Sequence, residues 1–161
     1  MTRPGPPPVK DVQPLDATDR AIVAALAANA RITNSALADE VGIAASTCHN
    51  RVRALVDRGV LRGFHADVDP EALGFGLRAV IAIRLQPSAR AGIGSFARRI
   101  ADLPGVQHLY FLGGADDFLV DVVAHDTEEL RRLVVLLSES AEVAATETNL
   151  VFEFVRGPGA A

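Results

Sequence analysis

The chain has 161 residues, 49% of them apolar and 22% charged, enough to bury one large core or two small ones. No apolar run approaches the roughly 18 residues that cross a bilayer, and the N-terminal MTRPGPPPVKDVQP lacks the apolar centre of a signal peptide, so neither a membrane span nor export is expected. The net charge of −4 argues against a nucleic-acid partner until its distribution is read: residues 1–62 hold eight Lys/Arg against six Asp/Glu, residues 63–161 eight against fourteen.

Five of the nine prolines fall in residues 1–14, which read as a flexible, partly polyproline arm carrying Arg3 and Lys10. A helix is predicted from Asp16, with Asp19 as a second acid at its positive end, Ile22, Val23, Leu26 and Ala27 as its buried stripe and Asn29 closing it. Leu37, Ala38 and Val41 mark a second helix, and Gly42 stands where a left-handed terminating turn needs a residue without Cβ. Cys48, Val52, Leu55 and Val56 then recur at helical spacing, with Ser46 or Thr47 as the expected cap. Helix, tight turn and helix is the arrangement that places a helix in the DNA major groove. The outer side of the third helix carries Ser46, Asn50 and Arg53, with Thr47 and His49 on its flanks, and these hydroxyl, imidazole, amide and guanidinium groups suit base edges and phosphates. An ordinary solvated face has the same composition. Arg31, Arg51 and Arg62 are expected to hold the phosphate backbone, and Val60 to Ala66 to form a short strand or wing.

The predicted DNA-binding domain spans 15–63 and the linker 64–76, broken by Asp69-Pro70. Residues 77–86 read as a strand, and Pro87 to Ile100 as a helical region weakened by Gly92 and Gly94 and ended by Pro104-Gly105. Two strands, 106–112 and 117–124, flank the turn Gly113 to Asp116 as a hairpin. Thr127 is the expected cap of a helix whose inner face is Leu130, Leu133, Val134 and Leu137, and 146–155 is the last strand, before a tail at 156–161. Strand, helix, strand, strand, helix, strand is the ferredoxin-like βαββαβ order over 77–155, so the fold class is α+β. Two helices cover one face of such a sheet. Val80, Leu109, Phe111, Leu119, Phe152 and Phe154 are candidates for its two faces, and an apolar open face would call for a second copy of the chain.

No catalytic, cofactor or metal site is expected. Cys48 belongs to an apolar stripe about 100° from His49, and as the only cysteine it fits a reducing cytoplasm. The histidines at 49, 65, 108 and 125 are scattered, and phosphate-loop, dinucleotide and nucleophile-elbow motifs are missing.

Leu15-Asp16-x-x-Asp19, Asn29-Ala30-Arg31-Ile32, Val41-Gly42-Ile43, Ser46-Thr47-Cys48, Arg51-Val52-Arg53, Gly59-Val60-Leu61-Arg62-Gly63, Asp69-Pro70 and Gly113-Gly114-x-Asp116-Asp117-Phe118 together resemble the Lrp/AsnC family of bacterial and archaeal transcriptional regulators. The resemblance implies a winged helix-turn-helix domain, double-stranded DNA as partner, and a homodimer that assembles to tetramers or octamers. It also implies a small effector, commonly an amino acid, bound where dimers meet, at Gly113, Gly114, Asp116 and Asp117 with Thr146 and Thr148 on the last strand. Ala115 and the doubled acid depart from the family's usual single acid with an aromatic nearby, which leaves the effector's identity open. A glycine turn offers backbone N–H groups to a carboxylate and an acid pairs with an α-ammonium, yet GGADD equally suits a plain hairpin turn. Two rival readings are an amino-acid-sensing subunit that docks a metabolic enzyme and an enzyme built on the sheet.

Overall fold

The computed structural model describes residues 14–155, in two compact units whose boundary falls between Asp67 and Val68. The expected arm, Pro14 apart, and the expected tail lie outside the described residues.

The first unit has three helices: α1 Ala17–Ala28, α2 Asn34–Val41 and α3 Ala45–Asp57. Asp16 caps α1 by accepting from the Asp19 N–H at 2.7 Å, and Thr33 caps α2 by accepting from Ala36. Gly42 ends α2 in the left-handed conformation at φ 71°, as its position predicts. Ile22, Ala25, Leu26, Leu37, Ala38, Cys48 and Leu55 make the core, so Ala25 takes the place expected for Ala27. The cap of α3 is a correction. Ala44 occupies that position without a side-chain hydrogen bond, and Ser46 and Thr47 lie inside the first turn. Residues 61–69 carry no regular secondary structure: alternation alone does not make a strand without a ladder partner, and none of the described strands pairs there.

In the second unit β1 Leu77–Leu85, α4 Ile93–Ala101, β2 Val106–Phe111, β3 Phe118–Ala124, α5 Thr127–Ser138 and β4 Val143–Leu150 follow the expected order, with 3₁₀ turns at Glu71–Leu73 and Pro87–Gly92. The sheet order is β2-β3-β1-β4, antiparallel throughout. Ala79, Ile81, Ile83, Leu85, Phe118, Val120 and Val122 face Phe96 and Ile100 of α4 and Leu130 and Leu137 of α5 in one core. Leu109 and Phe111 stand opposite Val120 and Phe118 and therefore share this side.

Two boundaries differ from expectation. Asp126, not Thr127, caps α5, its carboxylate accepting from the Glu129 N–H at 2.8 Å. The last strand is shifted towards the N-terminus: pairing runs from Leu85↔Val143 to Ala79↔Leu150, two residues short of the start of β1. Phe152 and Phe154 thus lie beyond the strand and are exposed.

The face away from the helices is mixed rather than apolar. Val80, Ala82, Leu119 and Val123 share it with Asp121, only 7% exposed, whose carboxylate accepts from Arg78 Nε at 2.8 Å and lies 3.1 Å from His108 Nδ1. Phe154 lies over the Arg78 guanidinium at 3.9 Å.

Candidate nucleic-acid interface and effector turn

On α3, Cys48 and Leu55 are fully buried while Ser46, Thr47, His49, Asn50 and Arg53 are exposed. Ser46, Asn50 and Arg53 therefore line the side opposite the core, with Thr47 and His49 on its flanks, as helical periodicity requires. Burial pushes the Cys48 thiol up, which suits packing rather than chemistry. Arg31, Arg53 and Arg62 are exposed and have no carboxylate partner among the described residues.

Arg51 departs from expectation. Its Nη1 lies 2.7 Å from Asp16 and 2.8 Å from Asp19, so the guanidinium bridges α3 to the start of α1 within the fold. The Asp19 N–H and then Arg51 hold the Asp16 carboxyl below its usual range, and the two aspartates raise Arg51. Arg58 lies 3.6 Å from the other Asp19 oxygen, so the buried Asp19 ties the start of α1 to α3 at two points. Spacing could not have revealed this network, because 32 and 35 residues separate Arg51 from its partners.

In the second unit the turn joining β2 and β3 presents Gly113 and Gly114 at the surface. The two acids that follow are not equivalent. Asp117 is committed to the fold: Oδ2 accepts from the Leu85 N–H at 2.8 Å, Oδ1 lies 3.5 Å from Arg90, and its own N–H donates to Ile83 at 2.9 Å. Its carboxylate thereby satisfies a buried backbone donor that lies beyond the last pair of the β1–β3 ladder, Ile83↔Phe118. Asp116 is more open, and lies 3.8 Å from Arg84 Nε, beyond hydrogen-bond distance. Arg84 and Arg90 escaped the sequence reading, since nothing local ties a β1 residue to a turn 32 positions away.

Thr146 and Thr148 are not brought to this turn within one chain. They pair with Ile83 and Ile81 and so stand on the helix side of β4, separated from β3 by β1. Two strand spacings, about 10 Å, intervene. A cleft of about 530 Å³ opens elsewhere, between the segment from Asp69 to Arg78 and the chain beyond Leu150, away from the turn.

Comparison with known proteins agrees with this architecture. Residues 15–62 match the winged helix-turn-helix DNA-binding family, and residues 78–158 the Lrp/AsnC ligand binding domain. The chain is 54% identical over 151 residues to the HTH-type transcriptional regulator AldR of Mycobacterium tuberculosis, covering 92% of this chain and 84% of that protein. It is 38% identical over 133 residues to the leucine-responsive regulatory protein of Rhizobium meliloti, covering 83% and 82%. A crystal structure of a transcriptional regulator from Neisseria meningitidis in complex with L-methionine superposes with a TM-score of 0.81 at 28% identity, covering 89% of this chain and 94% of that one. With a winged helix-turn-helix match over its first unit and a βαββαβ ligand-binding domain in its second, the chain belongs to the Lrp/AsnC family of DNA-binding transcriptional regulators.

Proposed function

We propose that this regulator reads double-stranded DNA with the outer side of α3 and answers to an amino acid bound at the turn between β2 and β3. The observation that carries the reading is the segregation on α3, where exposed Ser46, Asn50 and Arg53 stand opposite the buried Cys48 and Leu55, flanked by exposed Thr47 and His49. Ser46, Thr47, His49, Asn50 and Arg53 contact bases or adjacent phosphates, and Arg31 and Arg62 hold the backbone. A homodimer presents two such helices about 34 Å apart, one helical turn, on a pseudo-palindromic site. The excess of only two positive charges over residues 1–62 makes this doubling useful for affinity.

The effector site comprises Gly113, Gly114 and Asp116, framed by Asp117. The about 10 Å between that turn and the row of Thr146 and Thr148 favours a site completed by β4 of a neighbouring copy, at a contact between dimers. The leucine-responsive relative and the L-methionine complex of the Neisseria protein support an amino acid as ligand. Such a ligand alters DNA binding only by favouring one assembly over another. The whole cycle belongs to the cytoplasm, where the DNA is. The test is a mobility shift on the region upstream of the protein's own gene, across salt, with and without each of the twenty L-amino acids. Specific binding that weakens steeply with salt and is changed by at least one amino acid is expected; binding absent at all salts, or indifferent to all twenty, refutes the reading.

A further inference from the structure

The acids of the effector turn each face a guanidinium, but the two pairs are built differently. Asp117 is 14% exposed, hydrogen-bonded to the Leu85 N–H and near Arg90, and removing it would strand a buried donor. Asp116 and Arg84 are 35% and 55% exposed and 3.8 Å apart, with no hydrogen bond between them. Exposed pairs at this separation add little to stability. One pair is a frame, and the other opens at little cost.

An α-amino acid carries an ammonium and a carboxylate one carbon apart. Inserted between Asp116 and Arg84, it replaces one loose ion pair by two charge-assisted contacts, its ammonium against Asp116 and its carboxylate against Arg84. We infer that Arg84 is the effector's carboxylate-binding residue and Asp116 its ammonium-binding residue, with Asp117 and Arg90 positioning the turn. This rests on the proposed amino-acid response and adds the polarity with which the ligand sits. It also limits the ligand class to zwitterions: an amino-acid amide lacks the charge that Arg84 reads, and an N-acetyl amino acid the one that Asp116 reads.

The test is calorimetric titration of the full-length protein with the most strongly bound of the twenty L-amino acids, its amide and its N-acetyl derivative. The wild type, Arg84→Gln and Asp116→Asn are compared. The wild type should prefer the free amino acid to both derivatives by about tenfold or more. Arg84→Gln should erase the preference over the amide while keeping that over the N-acetyl derivative, and Asp116→Asn should do the reverse. A general structural defect would weaken all three ligands alike. Equal weakening of all three, or unchanged preferences in either variant, overturns the assignment while leaving the amino-acid response standing. Failure of every amino acid to bind the wild type overturns both.

Discussion

Asp117 lies between two roles, ligand and frame, and its replacement separates them. In the folded chain its Oδ2 accepts from the Leu85 N–H at 2.8 Å, at the point where pairing between β1 and β4 slips by one residue. Asp117→Ala leaves that buried donor without its partner, at a cost of about 1–3 kcal/mol. Asp117→Asn keeps an oxygen acceptor in place and should recover most of the loss, giving up only the exposed half of the contact with Arg90. For a unit of this size each kcal/mol moves the midpoint of thermal unfolding by about 4–8 °C. The assay is conveniently local, since Tyr110 on β2 is the only tyrosine in a chain without tryptophan and its fluorescence reports this unit alone. The expected order of midpoints is wild type, then Asp117→Asn slightly below, then Asp117→Ala clearly below. Alanine and asparagine variants equal to each other, or an alanine variant within about 0.5 kcal/mol of wild type, the usual scatter of surface substitutions, would refute the framing role.

Three further outcomes follow from named contacts. Gly105 sits at φ +83°, and a Cβ there would lie 2.5 Å from the Val123 carbonyl oxygen, so Gly105→Ala should cost about 2 kcal/mol or more in denaturant unfolding; a neutral effect would contradict the geometry. Burial works to raise the Asp121 carboxyl, but hydrogen bonds from Arg78 and His108 outweigh it and hold the group below the ordinary value. Because the folded state is the weaker proton binder, this stability is complete above the unfolded pKa, near 3.9, and is lost as pH falls through the lower folded one. Thermal midpoints should therefore fall more steeply below about pH 4 in wild type than in Asp121→Asn, and parallel curves would exclude the linkage. Arg51→Ala should lower the melting temperature of the helical unit yet leave the slope of log affinity against log salt unchanged, whereas a phosphate contact would remove about 0.9 from that slope.

Sequence legibility tracked locality. Gly42 and the stripe of Cys48 and Leu55 were readable because helix ends and faces are decided within one or two turns. The βαββαβ order was readable for the same reason. Caps were less secure: Asp126 and Thr127 are adjacent residues of similar capping power, and only the placed helix shows that Asp126 accepts from Glu129. At the C-terminal end, the apolar run Leu150 to Val155 looks more strand-like than Val143 to Ala145, yet the ladder on β1 takes in Val143 to Leu150 and leaves Phe152 and Phe154 exposed, a pairing that local composition does not encode. The electrostatic framework was beyond reach. Arg51 with Asp16 and Asp19, Arg78 with Asp121, and Arg84 with Asp116 join residues 32 to 43 positions apart, and their pairing exists only once the fold has brought them together.

The proposed reading of DNA sequence by the outer side of α3 underlies everything else. It is tested most directly by the ratio of affinities for the gene's own upstream region and for an unrelated duplex of equal length, measured at one salt concentration for wild type and for an Asn50→Ala/Arg53→Ala variant. Both side chains are exposed, so the variant should melt as wild type does. With base contacts contributing about 1–3 kcal/mol each, the ratio should collapse by about tenfold or more while non-specific affinity changes little. A ratio left intact in a folded double variant would contradict the claim.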